Sequence, residues 1–378
     1  MLLEGLSTEV ILFFILYGIT GVVPLIAGVY LLLRRSNAFA SDITPPLRLR
    51  RWAASFFFAM ALGHVWWYLF LVYSHDLRSV SYVVVSVLDC LSMLITIAGT
   101  LLAMLQDRKR PVWPVVAALI PYVLLGAMYI GIPDDKFINA AIVYYLLFFV
   151  IFTVYMVFAV RKYGRWLNDN YADLDNKKVW LSQMVSLVTL FVFILYSTVE
   201  IDYTIIMFIL HVMELLLYVL LLWRIETLPQ LDSILMEEPC IPSVPEPATE
   251  VAEALEPSST AVPTNIDIAE IERLLEEHCV ATQLYLQHDL NVQQLAQAIG
   301  TNRLYLSQYF SYLGITYNTY INNLRINHFI SRYQEIAATG RPIAAQQLAH
   351  ESGYRSYSTF SLAFKQRTGQ SVTAWMRG

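Results

Sequence analysis

A helix needs roughly 20 consecutive apolar residues to cross the ~30 Å hydrocarbon core of a bilayer. Before residue 224 this chain has seven such runs: 10–33, 52–73, 80–105, 112–132, 138–160, 180–199 and 203–223. Hydrocarbon offers no partner to backbone N–H and C=O groups, so runs of this length have to be helical. Trp52, Tyr73, Trp113, Trp180 and Trp223 lie near the ends of the runs, where interfacial anchors belong. The alternative, buried helices of a large soluble protein, fits neither the lengths nor the regular charge pattern between them.

That pattern sets an orientation. The segments after runs one, three and five carry Arg34, Arg35, Arg48, Arg50, Arg51, Arg108, Lys109, Arg110, Arg161, Lys162, Arg165, Lys177 and Lys178. The intervening segments hold only Arg78 and Lys136, beside acids such as Asp134, Asp135, Glu200 and Asp202. Positive charge stays on the cytoplasmic side, so the N-terminus is expected outside and the C-terminal region in the cytoplasm of a multi-pass inner-membrane protein. The opening MLLEGLSTEV has no basic n-region and is expected to remain uncleaved.

Four ionisable residues fall deep in the runs: His64, Asp89, His211 and Glu214. Each lies about 12–17 Å from the outer end of its helix at 1.5 Å per residue, so the four can share one layer. His211 and Glu214 are on one helix face, and Ser86 and Ser92 flank Asp89. Such groups usually face the bundle interior and find partners there. A register-fixing polar network, a sensor of an unknown signal ligand, and a metal or hydrolytic site are the readings. No HExxH or similar spacing appears, so no metal ligand, catalytic residue or cofactor is assigned. Cys90, Cys240 and Cys279 are far apart, which supports neither a disulfide framework nor a zinc finger.

Composition then changes abruptly. From Ile225 to Glu272 there is no Lys or Arg, against eleven Asp and Glu and seven of the fifteen prolines. Proline and acid together cannot bury a core, so residues 225–264 are expected to be a flexible linker. From Asn265 onward Ile268, Ile271, Leu275 and Cys279 form an apolar helical face, either the first helix of a soluble domain or a homodimer contact. The domains are therefore expected at 1–224, 225–264 and 265–378.

The last of these contains a near-repeat. LAQAIGTNRLYLSQYFSYLG begins at Leu295 and LAHESGYRSYSTFSLAFKQRTG at Leu348. Both open on Leu-Ala, reach a glycine at the same spacing (Gly300, Gly353), and end on glycine (Gly314, Gly369). The inner glycines suit a left-handed helix end, and Asn302 and Ser356 are good N-caps for the next helix. Asn291 with Gln294 has the spacing of a capping box. Leu306, Tyr309, Phe310 and Phe360, Ala363, Phe364 would hold each second helix onto its first, leaving a polar outer face. That is a helix-turn-helix plan, expected twice, at about 291–311 and 344–366. From Asn291 to Gly378 there are eight Lys or Arg and two acids, in a chain of net charge −5. A local positive excess of this kind attracts phosphate.

The stretches DLNVQQLAQAIGTNRLYLSQYF, YINNLRI and SGYRSYSTFSLAFKQRTGQS resemble the DNA-binding domain of AraC/XylS-type transcription regulators. The resemblance covers roughly residues 289–377. It implies two helix-turn-helix units, joined by a rigid helix, reading adjacent major-groove segments of double-stranded DNA. By position it implies base contacts from Leu304, Ser307 and Gln308 in the first unit. In the second it implies Tyr357, Ser358, Ser361 and Leu362, with Arg303, Arg355, Lys365 and Arg367 on phosphate. Gln308 and Leu362 stand where the family often has arginine, and Phe329 where it often has alanine. The expected fold is all-α: a seven-transmembrane-helix bundle plus a soluble two-unit helix-turn-helix domain. The expected function is a membrane-anchored, one-component transcription regulator and not an enzyme. The alternative is a membrane enzyme or transporter with a regulatory DNA-binding tail.

Overall fold

Each of the seven apolar runs becomes a helix: α1 (Thr8–Leu33), α2 (Leu47–Tyr73), α3 (Val80–Ala103), α4 (Trp113–Gly131), α5 (Asp135–Asn170), α6 (Trp180–Thr198) and α7 (Tyr203–Thr227). The structure, a computed structural model, describes residues 8–34, 37–41, 43–73, 80–174, 177–198, 203–231, 268–339 and 344–377. Six of the helices are long and apolar enough among the described residues to cross a membrane, and α6 contributes a shorter apolar run, Trp180–Val192. α1, α2 and α3 pack in sequence, and α7 returns to lie against α1, α2 and α6.

The chain forms two compact units. One is Met1–Tyr163 with Asn176–Asp232, and the other is Gly164–Asp175 with Ser233–Gly378. Two boundaries differ from the sequence expectation. Residues 225–231 belong with the membrane helices and not with the linker, because Ile225, Leu228 and Leu231 are buried there. Glu226, counted from sequence among the linker acids, is fully buried and pairs with Arg34 at 2.7 Å. Tyr30 Oη donates to its carboxylate and Asn37 Nδ2 to its backbone carbonyl. Arg50 donates to Leu31 O at 2.6 Å, placing a cation at the negative C-terminal end of α1. The second difference is that the segment after α5, read from sequence as a short loop between spans, is built into the C-terminal unit. The acidic, proline-rich stretch 232–264 lies outside the described residues.

The C-terminal unit continues with α8 (Ile268–Leu275), a π-helical turn (Glu276–Val280) and a 3-10 turn (Leu284–Leu286). Then come α9 (Val292–Ala298), α10 (Arg303–Tyr312), α11 (Tyr317–Ala338), α12 (Ala345–Glu351), α13 (Tyr357–Thr368) and α14 (Val372–Arg377). Ile271, Leu275 and Cys279 turn inward, as their spacing predicts. Side chains fix the helix starts. Asn291 and Gln294 form a reciprocal capping box on α9, Asn302 accepts from Tyr305 N on α10, and Ser356 from Thr359 N on α13. α9 with α10, and α12 with α13, are the two helix-turn-helix units. The central helix α11 serves both: Ile321 is buried near its start, and Ile326 and Phe329 further along.

Candidate functional site

The second helices of the two units, α10 and α13, are held by aromatic and aliphatic anchors on one face. In α10, Leu306, Tyr309 and Phe310 are buried, with Phe310 5.1 Å from the Tyr320 ring on α11. In α13, Phe360 and Phe364 are buried against Phe329, at ring distances of 4.4 and 5.7 Å. Phe329, which stands where the resembling family often has alanine, is thus the centre of the second core.

On the outer faces the sequence-assigned residues divide. Leu304 is 47% and Leu362 54% exposed, and Ser307 and Ser358 are also open. Gln308 and Ser361 are half-buried. The Gln308 Oε1 is enclosed without a hydrogen-bond partner, so this amide reaches outward less than its neighbours. Tyr357 packs its ring 5.7 Å from Phe360 and is partly a core residue. Lys365 and Arg367 are exposed at the end of α13, and Arg367 donates to Asn327 Oδ1 at 2.7 Å. Arg355 is exposed and pairs with Asp289. Arg303 is half-buried, and burial lowers its pKa while the facing Tyr171 and Asp169 oppose that shift.

In the membrane unit, three of the four layer residues come together. His64 on α2 and His211 and Glu214 on α7 each bring one ligand-type atom within 4.8 Å of the others. His64 Nε2 is 3.9 Å from Glu214 Oε2, and the two imidazole rings are 6.2 Å apart. Tyr17 from α1 lies 4.9 Å from the His64 ring and 5.8 Å from that of His211, and its hydroxyl donates to His64 O. Asp89 on α3 is held one step to the side, where its carboxylate accepts from Trp67 Nε1 at 3.0 Å. A Cβ on Gly63 would stand 2.5 Å from Asp89 Oδ1, so the absence of a side chain at Gly63 is what lets α2 and α3 close around this carboxylate. An apolar groove of about 480 Å³ between α1 and α2, lined by Gly18, Gly21, Phe58 and Leu62 among others, opens beside His64.

Comparison with known proteins bears on the C-terminal unit. Residues 280–378 are a helix-turn-helix domain. The match is of the AraC type and makes the chain a DNA-binding transcription regulator. No curated protein and no solved structure matches the chain.

Within the helix-turn-helix domain the structure adds residues to which the sequence gave no role. Arg325 on α11 is 1% exposed and donates to Tyr285 O at 2.7 Å and Gln287 O at 2.8 Å. Its guanidinium lies 5.5 Å from the Tyr354 ring centroid in the second unit. One buried cation thereby ties the 3-10 turn and α11 to the second helix-turn-helix; a basic residue in a basic stretch reads from sequence as a phosphate contact. Asp173, also buried, acts on it electrostatically. Residues 171 and 172 attach to the first unit. Ala172 N donates to Leu290 O at 3.3 Å, Tyr171 forms an antiparallel bridge with Asn291, and Asn318 Nδ2 donates to Tyr171 O and Ala172 O at 3.1 and 2.7 Å. Nothing in the segment's own composition marks it for this.

Proposed function

We propose that this chain is a membrane-anchored one-component transcription regulator. Its seven helices span the inner membrane with the N-terminus outside, and the C-terminal domain lies in the cytoplasm on promoter DNA. The observation that carries the reading is an AraC-type helix-turn-helix domain in one chain with six helices of membrane length. α10 and α13 enter successive major-groove segments. Leu304, Ser307 and Gln308 read bases from the first, and Ser358, Ser361 and Leu362, with the rim of Tyr357, from the second. Leu362 offers a thymine methyl an apolar contact and has no hydrogen bond to give. Arg303, Arg355, Lys365 and Arg367 supply phosphate attraction.

The membrane unit detects its signal at the layer of His64, Asp89, His211 and Glu214. Buried ionisable groups in a bilayer are costly and mark functional sites. Coupling runs through the segment after α5. Asp169 and Tyr171 face Arg303, and residues 171–172 are clamped by Asn318. In this arrangement an acid competes with DNA for a phosphate-binding arginine, and a shift of α5 would release it.

Mapping DNA bound in cells by the full-length protein tests the reading, with topology reporters fused at both ends of the membrane unit. Discrete promoter sites bound by a membrane-fractionating protein are expected. Diffuse binding, or a C-terminus outside the cytoplasm, would sink it.

A further inference from the structure

We infer that His64, His211 and Glu214 bind a divalent transition-metal ion of the zinc class. The inference rests on the sensor reading above and names its ligand. The sequence assigned no metal ligand because His64 and the pair on α7 are far apart along the chain; packing of α2 against α7 joins them.

Four features of the cluster fit a metal. The donor set is two imidazoles and one carboxylate, which suits zinc and its neighbours and not magnesium or calcium, which take oxygen ligands. His64 is preset: its Nδ1 is 2.9 Å from Met60 O, and a carbonyl only accepts, so Nδ1 carries the proton and Nε2 presents its lone pair to the cluster. A backbone carbonyl on the remote ring nitrogen is how metal-binding histidines are usually oriented. Glu214 is preset as well. Tyr218 Oη donates to its Oε1, while Oε2 is the oxygen 3.9 Å from His64 Nε2. Finally, the present neighbour of Nε2 is expendable. Thr20 Oγ1 lies 2.9 Å from it, but also 3.0 Å from both Leu16 O and Tyr17 O, so its hydrogen keeps an acceptor when a metal takes the lone pair.

Charge points the same way. The seven apolar runs contain no Lys or Arg, and an ionised carboxylate in a low-dielectric interior needs a cation close by. Asp89 adds a second carboxylate whose charge reaches Glu214. Ligand atoms around tetrahedral zinc, at about 2.0–2.1 Å from the ion, sit closer together than the present 4.8 Å limit. Binding therefore draws the ligands on α2 and α7 inward. α7 is the last helix before the stretch leading to the DNA-binding domain, so the pull acts on an element able to carry a signal.

The test uses full-length protein in detergent micelles, stripped with chelator, loaded with Zn2+ or Co2+ and desalted. About one zinc per chain is expected by elemental analysis, with tetrahedral Co2+ absorption in the visible range. His211→Asn and Glu214→Gln should weaken zinc binding by at least about tenfold and abolish the Co2+ bands. Both variants should remain monodisperse and retain DNA binding. Cys90→Ala, which removes a nearby thiol and no ligand, should keep the metal. No bound zinc in the parent protein, or equal zinc in all variants, overturns the site. Promoter occupancy measured alongside separates the two readings. Stoichiometric metal with occupancy indifferent to zinc upholds the site and overturns the sensor role. No metal, with occupancy shifted by Glu214→Gln, overturns the site and leaves the sensor role standing.

Discussion

Gly353 has φ +88°, and a Cβ there would meet Leu286 O at 2.9 Å and Arg325 Nε at 3.0 Å. Gly300 shares the left-handed backbone, at φ +74°, but opens onto empty space. Replacing Gly300 by alanine should therefore cost about 1–2 kcal/mol from backbone strain alone, while Gly353→Ala adds a clash against rigid backbone and should cost more. Hydrogen exchange of the α11 and α12 amides in the full-length protein will rank the two, and equal protection would contradict the geometry. His328 offers a pH signature. Burial, and then Arg332, lower its pKa in the folded state below the usual 6.5. The unfolded chain therefore binds this proton first as pH falls, and stability is lost below about 6.5. Above that pH both states are neutral at this site and the effect vanishes. His328→Gln should flatten the acid side of a thermal stability profile and leave the alkaline side unchanged.

The two recognition helices differ in what they offer DNA. α13 ends in Lys365 and Arg367 and exposes Leu362, whereas α10 presents Leu304 and Ser307 with Gln308 partly withdrawn. Arg367→Ala should weaken binding to all sequences alike and reduce the salt-dependence slope by about 1. Gln308→Ala should cost about 1–3 kcal/mol at a single base position; uniform loss across sequences would remove Gln308 from the base-reading set. α11 holds these helices in one frame, with Arg325 as its buried polar tie. Arg325→Leu would leave two buried carbonyls unpaired, a loss of about 1–3 kcal/mol for each, measurable as a lower melting temperature with both units affected together.

Across the whole chain, the informative feature is that residues 164–175 belong to the DNA-binding unit. Asn318→Ala removes the amide that donates to Tyr171 O and Ala172 O. If the segment restrains Arg303, DNA affinity of the full-length protein should rise about fivefold or more, and the response to changes at Glu214 should shrink. Unchanged affinity would leave the segment a structural brace only.

Much of this was legible before any coordinates. Apolar run length dictates helices because hydrocarbon leaves the backbone no other partner. Gly300, Gly353, Asn291, Asn302 and Ser356 mark turns and caps through local stereochemistry, which short spacing encodes. The depth of His64, Asp89, His211 and Glu214 was countable along each helix, but which of them touch depends on how the helices rotate and pack. So the grouping of His64 with His211 and Glu214, and the placing of Asp89 with Trp67, came only from tertiary structure. The same holds for Arg325 turning inward and for residues 171–172 pairing with Leu290 and Asn291. These contacts join residues distant in sequence, and periodicity along one helix carries no information about its neighbour.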